Sequence, residues 1–368
     1  MSAQHMNTYL FPGQGSQYTG MGKALFERFP ELTQSASDIL GYSISELCTV
    51  DPHNQLNLTQ YTQPALFVVS ALAYLQHTQT GPCKADFVAG HSLGEFAALY
   101  ASGALSFETA LKLVVKRGAL MSAAPKGSMA AIIDVNSDKL LDCLRTEQLH
   151  AIDIANFNSN NQLVISGLSD DITRSEYYIS KLGGRFIKLN TSGAFHSRYM
   201  STAKQAFADY IDTVAFASMN IPVIANVTAK PHSSTDLKHN LIEQITSPVK
   251  WTHTIEYLLA QGNMQFTELG PKKVLTKLVK DIEQGYTPQQ SAHPVASQVA
   301  SLSPQQKIAH WNAQYGVGSA VKVCQKHAPY HMQSFVTRSH AQLLFGHRPV
   351  VYLQGQLGYF ALDDLTPI

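Results

Sequence analysis

Charge is scarce in this 368-residue chain: Asp, Glu, Lys and Arg make up 14% of it, against ~25% in an average soluble protein. The 27 basic and 26 acidic residues nearly cancel, so no strong field exists to gather a polyanion, and nucleic acid is excluded as the main ligand. The four cysteines, Cys48, Cys83, Cys143 and Cys324, stand far apart in sequence and form no C-x-x-C pair. Zinc and a disulfide framework are both disfavoured. Nowhere do ~18 apolar residues run together, and MSAQHMNTYLF lacks a basic stretch followed by an apolar one. Neither a membrane partner nor a secretory leader is expected, and the setting implied is reducing and cytoplasmic.

What is present is an alternation of short apolar runs with longer segments of helical period from residue 8 to about 284, the pattern of βαβ units around a mostly parallel sheet. This predicts one α/β body. Strands at 9–11 and 87–89 break at Pro12-Gly13 and at Gly90, and ligands of open α/β sheets sit beyond such strand ends. Between about 127 and 192 the order becomes strand, helix, strand, strand, helix, strand, the split βαβ pattern, which predicts an inserted lobe facing a cleft. Residues 285–306 hold no Asp, Glu, Lys or Arg, are rich in Gln, Ser, Ala and Pro, and are expected to be a linker. Residues 307–368 hold five strand-like runs, at 321–323, 333–337, 342–345, 350–354 and 359–362, and are expected to form a small β-rich module, a barrel or sheet of about five strands, without a catalytic constellation.

Gly90-His91-Ser92-Leu93-Gly94 is a G-x-S-x-G between a strand and an apolar helix, where a serine is held on a tight turn with a helix N-terminus behind it. Ser92 is the predicted nucleophile. Its hydroxyl needs a base, and His196, at the end of a predicted strand in TSGAFHS, faces the same strand ends. His91 is the competitor, but its position beside the serine turns it away. No acid stands out as a third member of a triad, so an amide or a backbone carbonyl is expected to orient the imidazole, with Gln244 a candidate. The turn Pro12-Gly13-Gln14-Gly15-Ser16-Gln17 lacks the Lys-Ser/Thr ending of a phosphate loop. Either the backbone N–H groups of Gln14 and Leu93 form an oxyanion hole or the segment is an ordinary tight turn. Arg117, on an apolar helix, pairs with a protein carboxylate or with a substrate carboxylate.

Taken together, YLFPGQGSQYTGMG, TQPALF, GHSLGEFAAL, KRGALM, NFNSNNQLVISG, SGAFHS, SPVKW and ELGPKKVL resemble, in order, the segments of malonyl-CoA:acyl carrier protein transacylases. The resemblance covers residues 8 to about 284 and implies a hydrolase-like α/β body carrying a ferredoxin-like lobe, acting on malonyl-CoA and an acyl carrier protein without metal or prosthetic group. It implies Ser92 as the acylated nucleophile, His196 as base, Gln14 and Leu93 as oxyanion donors, Gln244 as support for the histidine, and Arg117 as the clamp on the malonyl carboxylate. Phe195, before the histidine, resembles the malonyl-preferring form, and His91 and Asn158 join it on the substrate side. The segment around Asn158 departs from the family, which often has proline there. The C-terminal module resembles a piece of discrete, trans-acting acyltransferases of polyketide or hybrid assembly lines. Lys272 and Lys273 are candidate contacts for an acidic carrier. Two rival readings stand beside transfer: an acyl hydrolase that clears carriers, and a noncatalytic carrier-binding scaffold.

Overall fold

The computed structural model describes residues 5–80, 84–287, 303–323, 333–344, 348–356 and 360–367. Two compact units divide at residues 287 and 288. The first opens with β1 (Met6–Phe11), α1 (Lys23–Arg28), α2 (Pro30–Leu40), α3 (Ile44–Thr49), α4 (Thr59–Thr80), β2 (Phe87–Gly90), α5 (Gly94–Ala101) and α6 (Phe107–Ala123). It continues through β3 (Ser128–Ile133), α7 (Ser137–Thr146), β4 (Asp153–Ser159), β5 (Gln162–Gly167), α8 (Ser169–Lys181) and β6 (Arg185–Lys188). It closes with α9 (Ser201–Ile211), β7 (Val223–Ile224), α10 (Leu237–Glu243), α11 (Trp251–Leu259), β8 (Met264–Glu268) and α12 (Val274–Gly285).

The body sheet runs β7-β2-β1-β8, every pair parallel. Parallel strands are covered on both faces, and β1 shows how. Tyr9 and Phe11 point into a core with Leu66, Phe67, Phe96, Leu111 and Phe207, whereas Leu10 points into the opposite layer with Ile224, Trp251, Ile255 and Leu278. Period-2 alternation thus feeds two helical layers, each fully buried Leu, Ile or Phe contributing about 1.5–3 kcal/mol relative to exposure. The consequence for function is positional. Both β1 and β2 end at the same edge, so the turns after Phe11 and Gly90 lie side by side, as their residue partnership requires.

Residues 128–188 form a separate four-stranded antiparallel sheet, β4-β5-β3-β6, with a core of its own. The observed elements follow the expected order, starting and ending within a few residues of the expected bounds. Ser106 and Asn136 cap α6 and α7 through their side chains.

The second unit differs from expectation in two ways. A helix, α13 (Pro304–Gln314), begins inside the stretch expected to be linker, closed by a capping box in which Ser303 and Gln306 satisfy each other's backbone N–H groups. Residues 288–302 of that stretch lie outside the described residues. In place of a single barrel or sheet of about five strands, the described residues hold two three-stranded sheets: β9 (Ala320–Val323), β10 (Ser334–Val336) and β14 (Leu365–Pro367) in one, β11 (Gln342–Leu344), β12 (Arg348–Val351) and β13 (Phe360–Ala361) in the other. Trp311, Val321, Val323, Val351 and Leu353 form this unit's core. Among the described residues no helix is long and apolar enough to cross a membrane.

Candidate active site

The elbow between β2 and α5 is built by exclusion. A Cβ on Gly90 would lie 1.9 Å from the Gly94 carbonyl carbon, and one on Gly94 would lie 2.0 Å from the Phe11 carbonyl oxygen. Only glycine fits at either place. Between them Ser92 has φ +53°, in the left-handed region, which costs a non-glycine residue roughly 1–2 kcal/mol. Asn226, after β7, holds the turn: its Oδ1 accepts from Ser92 N–H at 2.6 Å and its Nδ2 donates to Gly90 O at 2.7 Å.

Ser92 Oγ lies 2.7 Å from His196 Nε2. His196 also has a positive φ, +57°. Its Nδ1 donates to the peptide carbonyl of Gln244 at 2.8 Å, which leaves Nε2 as the acceptor for the serine proton. The imidazole therefore takes the backbone carbonyl of Gln244, and the amide side chain of that residue serves elsewhere. Burial, then the adjacent Arg117 charge, hold the His196 pKa down at about 3. The ring is neutral, a base without a proton of its own to lose at Nε2.

Arg117 lies on α6 and is 1% exposed. Its Nη1 donates to Gln63 Oε1 at 2.6 Å, and its Nη2 to Gln244 Oε1 at 2.8 Å and to Ser92 Oγ at 3.2 Å. No carboxylate bonds it among the described residues, and its buried Nε–H has no partner. Burial lowers its pKa to about 10, opposed by the charge of Glu95, so the guanidinium stays charged at neutral pH. Of the two partners the sequence allowed, a protein carboxylate is not the one bound. An unsatisfied buried donor costs about 1–3 kcal/mol.

Gln14 and Leu93 line the same cleft of about 420 Å³ as Ser92, Arg117 and His196, and neither backbone N–H has a protein acceptor among the described residues. The side chain of Gln14 is tied back: Thr59 Oγ1 donates to its Oε1 at 2.9 Å and in turn accepts from Gln63 Nε2 at 3.1 Å. Phe195 lines the cleft with its ring pressed on Gly193, where a Cβ would lie 2.7 Å from the ring edge. His91 turns from the serine, its Nε2 donating to Asn158 Oδ1 at 2.9 Å, while Asn158 Nδ2 donates to Gln162 Oε1 at 3.0 Å. Burial lowers the His91 pKa, so this ring too is neutral. Lys272 lines the cleft, whereas Lys273 Nζ donates to the Glu268 carbonyl at 2.7 Å.

Gln63, Asn226, Glu95 and His232 belong to the site and were not singled out in the sequence. Glu95 and Gln63 carried a faint signal, being polar residues inside the apolar runs GEFAAL and TQPALF. Asn226 and His232 carried none, since the partners that tie them to the elbow, Ser92 and Glu95, lie more than a hundred residues away.

Residues 8–320 match the acyl transferase domain family. The chain is 50% identical over 280 residues to a polyketide biosynthesis malonyl CoA-acyl carrier protein transacylase of Bacillus velezensis, an alignment covering 76% of this chain and 97% of that protein. It is similar to the crystal structure of a malonyl CoA-acyl carrier protein transacylase from Burkholderia pseudomallei, with a TM-score of 0.76, 47% identity, and 77% and 100% of the two chains covered. A further similar structure holds a type II polyketide synthase acyl-carrier protein in complex with its malonyl-transacylase, with a TM-score of 0.72, 34% identity, and 76% and 93% covered.

Proposed function

The chain belongs to the acyl transferase domain family, and on that premise we propose how its own residues carry a malonyl group from malonyl-CoA to the phosphopantetheine thiol of an acyl carrier protein. The observation that carries the reading is a charged, carboxylate-free guanidinium 3.2 Å from the nucleophile. An acyl group that ends in a carboxylate fits such a site; a plain acyl group leaves it unpaired.

In the first half-reaction Ser92 Oγ attacks the thioester carbon while His196 Nε2 takes its proton across 2.7 Å. The Gln14 and Leu93 N–H groups receive the developing oxyanion, a contribution of about 3 kcal/mol per donor in comparable sites. As the tetrahedral species collapses, the C–S bond breaks and His196 returns the proton to the departing CoA sulfur. In the second half the carrier's thiol gives its proton to His196 and its sulfur attacks the seryl ester, and Ser92 leaves with that proton. Arg117 holds the distal carboxylate throughout. Phe195 closes the space beside the α-carbon, while His91 and Asn158 line the acyl side. Lys272 at the cleft is the basic contact we assign to the carrier or its arm.

The antiparallel order β4-β5-β3-β6 supports reading residues 127–192 as a ferredoxin-like lobe inserted in a hydrolase-like body spanning 7–284. The second unit supports an appended β-rich module, and a cytoplasmic setting accords with the chemistry of both substrates. Intact-protein mass spectrometry after brief mixing with malonyl-CoA, acetyl-CoA or methylmalonyl-CoA and a holo carrier tests the whole scheme. Malonyl on Ser92 and then on the carrier is the expected result; free malonate with an unloaded carrier would favour the hydrolase reading.

A further inference from the structure

Behind the elbow lies a buried ionisable pair that the transfer chemistry does not touch. Glu95, in the first turn of α5 and fully buried, accepts from His232 Nε2 at 2.6 Å, from Gln244 Nε2 at 2.6 Å and from Asn226 N–H at 3.2 Å. Resting on the roles of Ser92 and Arg117 given above, we propose that Glu95 is a positioning residue for acyl selection: it fixes which way the Gln244 amide faces, and that amide aims Arg117 at the acyl carboxylate.

An amide can sit in its site either way round, and its neighbours decide. A carboxylate only accepts, so Glu95 draws the Gln244 NH2 group to itself, and the second Nε2 hydrogen goes to the Ser92 carbonyl at 3.0 Å. The amide oxygen is then left for Arg117 Nη2 at 2.8 Å. Reversal would set NH2 against guanidinium, donor against donor. Glu95 thereby supplies a counter-charge one amide away from Arg117. A direct Glu–Arg pair would set a protein carboxylate on the guanidinium that the substrate carboxylate must meet; the intervening amide takes one Nη2 hydrogen and keeps the guanidinium free of a carboxylate. The pair is closed on its far side, where His232 Nδ1 accepts from Asn240 Nδ2 at 3.3 Å. Meanwhile the Gln244 peptide carbonyl, which holds His196, is fixed by the backbone, since Gln244 N–H donates to Asn240 O at 2.9 Å. Selection by Arg117 and proton transfer by His196 are therefore supported by separate parts of one residue.

The test reads a ratio: single-turnover acylation of Ser92 by malonyl-CoA over that by acetyl-CoA, followed by intact mass. Wild-type protein loads malonyl faster, and failure of wild-type loading would sink the transacylase scheme and not this inference. In Glu95→Ala the ratio falls roughly tenfold or more, the scale of a lost hydrogen bond to a charged group. Glu95→Gln holds the ratio within about threefold. Its amide oxygen is pinned by the Asn226 and Gln244 donors, and its NH2 meets a His232 ring that can shift its proton to Nδ1 once the Asn240 amide turns its oxygen to that atom. Where Glu95→Ala does not fold, Gln244→Met removes the oxygen facing Arg117 while keeping the peptide carbonyl on His196, and the same fall is expected. A merely structural role would slow both acyl groups alike and leave the ratio unmoved. An unchanged ratio in Glu95→Ala or Gln244→Met, or a loss in Glu95→Gln as large as in Glu95→Ala, overturns the proposal.

Discussion

Acid should destabilise this protein through His196, and the size of the effect follows from where the ring sits. Its pKa is held at about 3 in the fold against an ordinary 6.5, by burial first and by the charge of Arg117 second. The folded-state value is depressed, so the unfolded chain binds the extra proton, and stability present above pH 6.5 is lost as pH falls toward 3. At pH 5 the loss from this ring alone is about 2 kcal/mol. His91, whose pKa burial also lowers, adds a slope in the same direction. The perturbation that isolates His196 is therefore His196→Gln compared with wild type, each melted in urea at pH 7, 6 and 5. The expected result is a wild-type loss larger by about 2 kcal/mol between pH 7 and pH 5, with equal m-values. Parallel pH dependences in the two proteins would refute the reasoning, because they would mean the ring is solvated or already protonated in the fold.

Three further outcomes follow from the site. Arg117→Ala should lower kcat/KM for malonyl-CoA by about a hundredfold or more, since breaking a buried charged pair costs about 3–5 kcal/mol, with little loss for acetyl-CoA; steady-state kinetics on both thioesters checks it. The same variant removes a charge that depresses the His196 pKa, so the acid limb of the acetyl-CoA profile should move upward in pH. Phe195→Leu should reduce discrimination between malonyl-CoA and methylmalonyl-CoA by roughly five- to tenfold, the scale of one methyl group in a pocket, measured by competition for carrier loading. Gly94→Ala, whose Cβ would meet the Phe11 carbonyl oxygen at 2.0 Å, should lower Tm by several degrees and abolish loading, as calorimetry and intact mass would record.

Much of the body was legible in the sequence for a local reason. Strands 6–11 and 87–90 are short apolar runs ended by glycine turns, and the signal needs no partner to be read. The order of elements over residues 128–188 was legible because they alternate cleanly between periods of 2 and 3.6. Helix α13 was missed because PQQKIAHWNAQ carries few apolar residues and its start hides in a low-complexity stretch; the Ser303 and Gln306 capping box was the readable sign. In the site, Ser92 and His196 stand in recognisable turns. Gln244 was expected as support for the histidine, yet which of its groups faces the ring is decided by the end of α10, a tertiary fact. The polar residues behind it are paired across 131 to 149 positions of chain, a distance over which pattern reading has no purchase.

The near-contact of Gly94 with the end of β1 has a mechanical consequence. His91 N–H also donates to Phe11 O, at 2.9 Å, so the strand that leads to Gln14 and the turn that presents Leu93 are clamped at a single carbonyl. The two backbone N–H groups proposed as oxyanion donors, one from each of these adjacent turns, thus share one rigid mount, and neither can drift without prising the central strands apart. Loading activity then doubles as a gauge of the body's integrity: on gradual heating, the curve of lost malonyl transfer and the curve of lost near-UV dichroism should fall together.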